Sequence, residues 1–378
     1  MRHLYKKLSV ALAALLLLSA CEGVSGGAAG SSASEGEKRV AVYTTVRTTG
    51  QYPEQFVVLP NGSPKSDKVS AEVFHMKGNA GGWGSGSTHD FTAEFESAKV
   101  EDGTLTLVPK DFPEKYFYVT DFEVTCDSDP AYSFTSDDVG KTITPVADDF
   151  ETVLREDGSE FDYHIFTPEK TEGMPLVVVF HGFGDTSNLL TYRTAVEWAE
   201  PENQAKRPCY VIAPVIGDEE YYETSGRDRV FEALKALIDK MVSEGKVDGE
   251  RIYMMGNSFG GMSTIEFAEK YPGYVKKALV LCPALTYSPR AVSSLDKIKD
   301  LSIWFAHAKN DQTIPVSASE DAVKKLKDLG SDKVKLTVYT DEEMNAKGAD
   351  PAPDATYSYH HVELAVMEDD AYMEWMFE

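Results

Sequence analysis

The pattern of apolar and polar residues divides the chain near residue 148. From residue 38 to residue 147, short segments alternate apolar and polar side chains, as in "RVAVYTTVRT", "AEVFHMK" and "GTLTLVP". Turns rich in Gly, Pro, Asn and Asp separate these segments. Alternation with period two buries one face of a strand, and many such strands joined by regular turns are typical of an all-β domain. Residues 38–147 are therefore predicted to form a small immunoglobulin-like β-sandwich.

From residue 148 to residue 378, uniformly apolar runs alternate with amphipathic helical segments. The runs include "PLVVVF", "CYVIAP", "RIYMMG" and "LSIWFAH". The segment "DRVFEALKALIDKMVSEG" has an apolar helical face formed by Val230, Leu234, Leu237, Ile238 and Met241. Strand–helix alternation predicts an α/β domain with a mostly parallel sheet and helices on both faces. Ligands of such sheets bind at the carboxyl ends of the strands.

The first 21 residues have the pattern of a targeting signal. A positively charged start precedes an apolar stretch that is too short to span a bilayer, and the stretch ends in Leu-Ser-Ala-Cys at Cys21. This ending resembles the lipobox of bacterial lipoproteins, which implies cleavage before Cys21 and acylation of its thiol. A plain secretory signal is the alternative. Residues 22–37 are small and polar, which favours a flexible tether. The expected location is the extracellular face of the cell membrane, with secretion as the alternative.

Charge and cysteine usage narrow the classes of partner. The chain has 378 residues and a formal net charge of −25, which argues against nucleic acid because its phosphates would be repelled. The expected compartment is oxidising, so a disulfide among Cys126, Cys209 and Cys282 is possible. Cys209 and Cys282 lie in apolar runs, however, which favours buried free thiols. The cysteine spacing suggests no metal site, and neither a metal nor an organic cofactor is expected.

A serine lies between glycines where an apolar run meets a helical pattern. The sequence Gly256-Asn257-Ser258-Phe259-Gly260 is a G-x-S-x-G. A flexible glycine turn without a catalytic role would have the same sequence pattern. In the strand–turn–helix context, however, the pattern is typical of a nucleophile elbow, in which a tight turn exposes the serine hydroxyl at the start of a helix. Ser258 is therefore the candidate nucleophile.

A serine nucleophile needs a base and an acid. His360 and His361 follow the last predicted strand, and the α/β-hydrolase order of Ser, acid and His is satisfied by either. Asp311 follows the run "LSIWFAH", and Asp341 is the competing acid. An aspartate at this place is also common as a turn residue.

The loop after "PLVVVF" carries further candidates. The backbone N–H groups of Phe183 and Phe259 are predicted to form an oxyanion hole. His181 is expected to support that loop rather than to act as a base. In "GDEEYYETSG", Tyr221 and Tyr222 are placed beside the pocket, where they would stack on an aromatic acyl group; surface tyrosines without a role are equally compatible with the sequence.

Four stretches carry a resemblance to a known group. The stretches "HGFGD", "DGERIYMMGNSFGG", "AHAKNDQTIP" and "HHVELAVMEDDAYMEWMF" resemble extracellular esterases related to feruloyl esterases and polyhydroxybutyrate depolymerases, over residues 150–378. The resemblance implies an α/β-hydrolase fold. Its spacing to Trp375 favours His360 over His361, and Pro315 after the acid favours Asp311. The chain departs from the group at Tyr359, where glycine is usual, and in a longer segment before it.

The resemblance also implies a function. The expected activity is a cell-surface serine carboxylic-ester hydrolase that uses Ser258, His360 and Asp311 and removes acetyl or hydroxycinnamoyl groups from plant polysaccharide. The partners would then be the ester substrate, the polymer and, through Cys21, the membrane. Two alternatives stay open: a serine peptidase with the same triad, and a polysaccharide-binding surface protein with an inert hydrolase fold.

Overall fold

A computed structural model of the chain describes residues 38–47, 50–66, 68–81, 88–110, 118–184, 190, 193–347 and 358–378. The chain divides into two compact units between Asp148 and Asp149, next to the boundary expected from the sequence. The predicted signal, the tether and Cys21 lie outside the described residues. Within the described part of the chain, no helix combines the length and the apolar character needed to cross a bilayer.

The first unit consists of two β-sheets. Its strands are β1 (Val40–Arg47), β2 (Gly50–Val58), β3 (Phe74–Gly81), β4 (Thr88–Ala93), β5 (Phe95–Glu101), β6 (Thr104–Pro109), β7 (Tyr118–Cys126), β8 (Phe134–Thr135) and β9 (Val139–Ile143). The described strands form the orders β5-β6-β2-β1-β9 and β4-β3-β7-β8. Aromatic rings join the two sheets: Phe56 of β2 lies 5.5 Å from Phe122 and 5.3 Å from Phe134, between ring centroids. The alternating pattern thus buries one face of each sheet against the other.

The second unit has a mixed sheet. Its strands are β10 (Phe150–Val153), β11 (Asp162–Phe166), β12 (Met174–Phe180), β13 (Tyr210–Val215), β14 (Val247–Asn257), β15 (Lys277–Leu281), β16 (Ser302–Ala308) and β17 (Val334–Tyr339). Among the described residues their order is β10-β11-β13-β12-β14-β15-β16-β17. The strands from β13 to β17 pair in parallel, while β10 and β11 are antiparallel additions at one edge. The carboxyl ends of the parallel strands therefore share one edge of the sheet.

Helices cover both faces of this sheet. They are α1 (Arg193–Ala199), α2 (Pro201–Lys206), α3 (Asp218–Tyr222), α4 (Thr224–Ser243), α5 (Phe259–Lys270), α6 (Pro289–Ser293), α7 (Ser317–Asp328), α8 (Asp341–Ala346), α9 (Glu363–Val366) and α10 (Asp370–Phe377). Met254 of β14 belongs to the core formed with α4 and α5. The next residue, Met255, points the other way, where its sulfur accepts a hydrogen bond from Trp198 of α1 at 3.1 Å. Successive residues of one buried strand thus pack against different helical layers.

The amphipathic pattern predicted the main helix of this unit. Helix α4 begins four residues before the predicted segment and ends two residues before that segment does. Val230, Leu234, Ile238 and Met241 are buried as expected, and Leu237 is partly buried at the edge of the same core. The earlier start reflects α3, a short helix immediately before α4 that the sequence pattern did not predict.

Candidate active site

Ser258 lies between the end of β14 and the start of α5. Its backbone angles are φ 55° and ψ −118°, a conformation that a residue with a side chain rarely adopts. The turn leaves no space around it. A Cβ atom added to Gly256 would lie 2.4 Å from the carbonyl carbon of Gly260, and one added to Gly260 would lie 2.2 Å from the carbonyl oxygen of Phe180. The two glycines therefore permit the strained strand–turn–helix geometry that the sequence predicts around Ser258.

His360 joins Ser258 to Asp311. Its Nε2 lies 2.9 Å from the hydroxyl oxygen of Ser258, and its Nδ1 lies 2.7 Å from Oδ2 of Asp311. Because a carboxylate only accepts, Nδ1 carries the proton, which leaves Nε2 to accept from the serine hydroxyl. The arrangement can move a proton from the hydroxyl to the imidazole while the carboxylate stabilises the resulting positive charge.

The carboxylate of Asp311 is stabilised by hydrogen-bond donors of the protein. It lies in the loop after β16, and its Oδ1 accepts hydrogen bonds from the backbone N–H groups of Thr313 at 2.8 Å and Ile314 at 2.9 Å. Burial alone would raise the pKa of Asp311, but hydrogen bonds from His307 and His360 outweigh it and hold the pKa well below its ordinary value. Asp311 is therefore ionised at neutral pH and can orient the ring of His360.

His307 is a second histidine on the carboxylate of Asp311. Its Nε2 lies 3.2 Å from Oδ2 of Asp311 and 3.0 Å from the carbonyl oxygen of Ile314. Both are acceptors, so Nε2 carries the proton, and Nδ1 accepts from the hydroxyl of Ser319 at 2.8 Å. No role for His307 was predicted from the sequence. The available signal was a histidine four residues before Asp311, at the end of a buried strand.

The competing base and acid bond elsewhere. Nδ1 of His361 lies 2.9 Å from a carboxylate oxygen of Glu363. Asp341, at the start of α8, accepts hydrogen bonds from the side-chain amide of Asn310 at 2.9 and 2.8 Å. The structure thus brings His360 rather than His361, and Asp311 rather than Asp341, next to the Ser258 turn.

Cys282 is bonded to the backbone of His360. Its thiol donates to the carbonyl oxygen of His360 at 3.1 Å. It is buried and free, as are Cys126 and Cys209, in agreement with the sequence expectation. Potential ligand atoms of Cys282, Asp311 and His360 all lie within 4.8 Å of one another, so this group, found among the described residues, could hold a metal ion. Burial raises the pKa of the Cys282 thiol well above its ordinary value, however, and a thiol is a poor ligand unless ionised. The geometry suits proton transfer better.

The two predicted oxyanion donors belong to residues whose rings are in contact. Phe259 is the first residue of α5, where backbone N–H groups have no acceptor within the helix. Phe183 lies in the turn after β12, and its ring centroid is 5.4 Å from that of Phe259. The described contacts thus bring the two residues together beside Ser258.

His181 holds the loop that carries Phe183. Its Nε2 accepts from the N–H of Ile216 at 2.9 Å, and its Nδ1 donates to the carbonyl oxygen of Gly182 at 2.6 Å. Burial lowers the pKa of His181 to about 4, so the ring is neutral at pH 7 and both bonds persist. His181 supports the loop, as expected from the sequence.

The expectation for Tyr221 was wrong. This residue is fully buried, and its hydroxyl donates to the carbonyl oxygen of His181 at 2.5 Å. It cannot stack on a substrate, because the inward face of the short helix α3 places it in the core. Tyr222 is 60 % exposed. Tyr287, which the sequence analysis did not single out, is 57 % exposed, and its ring centroid lies 5.2 Å from that of Phe259.

Several proteins with similar sequence or structure are described as esterases. The family model described as phospholipase/carboxylesterase matches residues 212–348. NocK of Nocardia uniformis subsp. tsuyamanensis, whose name describes it as an esterase, is 24 % identical over 187 residues, which are 47 % of this chain. The chain spans about half the length of that relative, 52 %. The crystal structure of a thermostable esterase superimposes with a TM-score of 0.67 and 25 % identity, over 90 % of this chain and 99 % of the other.

These comparisons confirm the predicted α/β-hydrolase fold, preceded by an all-β region. They also support a hydrolase of the carboxylesterase type. The family match ends before the segment that carries His360, so the roles of the site residues depend on the geometry described above.

Proposed function

We propose that this chain is a serine carboxylesterase with Ser258 as nucleophile, His360 as general base and acid, and Asp311 as the group that orients the imidazole. One observation carries the proposal. The hydroxyl of Ser258 donates to His360 at 2.9 Å, and His360 donates to Asp311 at 2.7 Å, so the two bonds form a continuous chain that begins at a strained turn between a strand and a helix. The carboxylesterase character of the similar proteins supports an ester as substrate.

The reaction follows from these contacts. The oxygen of Ser258 attacks the ester carbonyl carbon while its proton passes to Nε2 of His360. Negative charge then develops on the former carbonyl oxygen, where the N–H groups of Phe183 and Phe259 donate to it. His360 returns the proton to the leaving alcohol as the C–O bond breaks, which leaves an acyl group on Ser258. A water molecule, deprotonated by His360, releases the acid and restores the serine.

The proposal extends to the natural substrate. We assign to this site the removal of acetyl or hydroxycinnamoyl groups from plant polysaccharide. The exposed aromatic rings beside Ser258 support an acyl group with a flat apolar portion, because such rings gain from stacking. Comparison of hydrolysis rates on acetylated xylan and feruloylated arabinoxylan separates the two acyl groups.

The activity is tested with 4-nitrophenyl acetate and protein that lacks residues 1–37. Replacement of Ser258 by Ala is expected to lower kcat/KM by at least ~1,000-fold, because the nucleophile is absent. Asp311→Asn is expected to lower it strongly as well. The matched variant Asp341→Asn removes a carboxylate of the same type, which among the described residues bonds only to Asn310, and it should keep full activity. Equal rates for the wild type and Ser258→Ala would reject the proposal, and preferential cleavage of peptides in a substrate panel would favour a peptidase.

Anchoring at the cell surface is a separate proposal, based on the sequence ending at Cys21. Growth of a bacterial host with an alkyne-tagged fatty acid should label the full chain and leave it in the membrane fraction. Cys21→Ala should lose both the label and membrane association. An unlabelled full chain recovered from the medium would show instead a plain secretory signal.

A further inference from the structure

The ring of Phe259 is surrounded by a patch of exposed aromatic residues. We call Phe183, Tyr222, Phe259 and Tyr287 the aromatic patch. Phe183, Tyr222 and Tyr287 are 40 %, 60 % and 57 % exposed, whereas Phe259 is buried beneath them. Their ring centroids lie 5.4, 5.6 and 5.2 Å from that of Phe259. Because Phe259 follows Ser258 directly, this apolar surface adjoins the proposed nucleophile.

The two tyrosines of the patch come from separate segments of the chain. Tyr222 ends helix α3, and Tyr287 ends the short 3-10 helix Leu285–Tyr287. More than half of each side chain faces solvent. The position of each ring therefore depends on how firmly its backbone segment is attached to the structure below.

Glu266 of α5 attaches the first segment. Its side chain is fully buried and pairs with Arg227, whose Nε lies 2.7 Å from Oε2 and whose Nη2 lies 3.0 Å from Oε1. Arg227 also donates to the backbone carbonyl of Tyr221, next to Tyr222. A two-point pair of this kind fixes orientation as well as distance. Glu266 thus fixes the end of α3 through one arginine.

The same carboxylate attaches the second segment. The hydroxyl of Ser288, the residue after Tyr287, donates to Oε1 of Glu266 at 2.5 Å. Nη2 of Arg290 lies 3.1 Å from Oε2. Arg290 is in turn paired with Asp228 of α4 at 2.9 Å. One buried carboxylate on the nucleophile helix is therefore linked to both segments that carry the exposed tyrosines, to the first through Arg227 and to the second directly.

We infer that Glu266 is a positioning residue that sets the spacing of Tyr222 and Tyr287 across Phe259, and so the fit of an apolar group beside the scissile ester. The inference rests on the proposed esterase function. It concerns the class of substrate that has a flat apolar group on either side of the ester. A small aliphatic ester gains little from ring stacking and does not depend on the spacing.

The test compares Glu266→Gln with Glu269→Gln. Glu269 lies one turn further along α5, is also buried, and neither of its carboxylate oxygens has a hydrogen-bond partner in the described structure. Kinetics are measured with methyl cinnamate, phenyl acetate and ethyl acetate. Glu266→Gln is expected to raise KM for at least one of the two aromatic esters, methyl cinnamate and phenyl acetate, about five- to tenfold. This change corresponds to the binding free energy of about one aromatic contact. The same variant should leave kcat, and KM for ethyl acetate, within about twofold. Glu269→Gln should change none of these values.

Two further variants keep the test decisive if Glu266→Gln does not fold. Ser288→Ala removes a single hydrogen bond to Glu266 and should raise KM for the same aromatic ester about two- to threefold. Tyr287→Ala removes a ring directly and should raise it about tenfold. The inference would be overturned if Glu266→Gln left unchanged the ratio of KM for the aromatic ester to KM for ethyl acetate. Where Glu266→Gln does not fold, the same result in Ser288→Ala would overturn it. An equal fall in kcat for all three esters would also overturn it. Hydrolysis that persists in Ser258→Ala would instead reject the proposed function itself.

Discussion

Asp311 remains charged in a buried position because four donors point at it. Two backbone N–H groups and Nδ1 of His360 are expected at an acid of this kind. Nε2 of His307 is the additional donor, 3.2 Å away. Each charge-assisted bond lowers the free energy of the ionised form and thereby the pKa of the carboxyl group.

Removal of this donor should affect the proton relay. His307→Leu is expected to lower kcat on 4-nitrophenyl acetate about 10- to 100-fold, because loss of one hydrogen bond to a charge weakens the support of Asp311 by about 1.5–3 kcal/mol. The pKa of Asp311 should rise, since a group that favoured its ionised form is lost. His307→Gln keeps a side-chain N–H near the position of Nε2 and should recover much of the activity. Equal defects in the two variants, or full activity of both, would show that the bond to Asp311 has no role.

At the residue scale, the sequence predicted the site residues that a motif or a position along the chain identifies. Ser258, Asp311 and His360 follow from motif, position along the chain and resemblance, and the structure brings them together. The exposure of Tyr221 could not be predicted, because it depends on which face of a five-residue helix points inward. His307 and Glu266 were missed because their roles arise from bonds to residues that fold next to them.

At the scale of elements, helix α5 combines a nucleophile turn with two buried carboxylates, Glu266 and Glu269. Glu266 has two arginine partners, Arg227 and Arg290. Glu269 has none on either oxygen in the described structure, and burial together with the nearby charge of Glu266 raises its pKa to about 8. Glu269 is therefore protonated at neutral pH.

The raised pKa predicts a pH dependence of stability. Below about pH 4.5 Glu269 is protonated in both the folded and the unfolded chain; between about 4.5 and 8 the unfolded chain releases this proton while the folded chain keeps it. Its contribution to the free energy of unfolding therefore decreases as pH rises through this window. Relative to the wild type, Glu269→Gln should gain about 1–3 kcal/mol between pH 5 and pH 8. Urea unfolding at both pH values measures the difference, and an identical offset at both would contradict the prediction.

Long apolar elements were predictable, and short ones were not. The strands β12, β13, β14 and β16 and the helix α4 were predicted from apolar runs or a helical period, and each has six or more residues. Strand β10 has four residues and α3 has five, so neither provides a full period of pattern. These short elements are set by tertiary contacts, such as the antiparallel pairing of β10 with β11.

At the scale of the molecule, the two units have separate hydrophobic cores. One core contains residues of the two-sheet unit alone, and the other contains residues between Phe161 and Val334. The change of pattern near residue 148 predicted this division, because a core formed by alternating strands and one formed by buried strands and helices differ in period.

Separate cores predict that residues 149–378 fold and react without the first unit. All the residues assigned to the proposed mechanism lie in this part of the chain. Its kcat/KM on 4-nitrophenyl acetate should lie within about fivefold of that of residues 38–378. Circular dichroism and thermal unfolding establish that the shorter protein is folded. A folded but inactive protein would show that the first unit completes the site.

The central claim is that the hydroxyl of Ser258 is the nucleophile. A fluorophosphonate probe reacts with an activated serine because the base that prepares the serine for an ester also prepares it for phosphorus. Intact-mass and peptide analysis of the labelled protein should find one adduct, on Ser258, with matching loss of ester hydrolysis. Ser258→Ala should not be labelled, and His360→Ala should be labelled far more slowly. Hydrolysis that survives complete labelling of Ser258, or an inactivating adduct on another residue, would contradict the account.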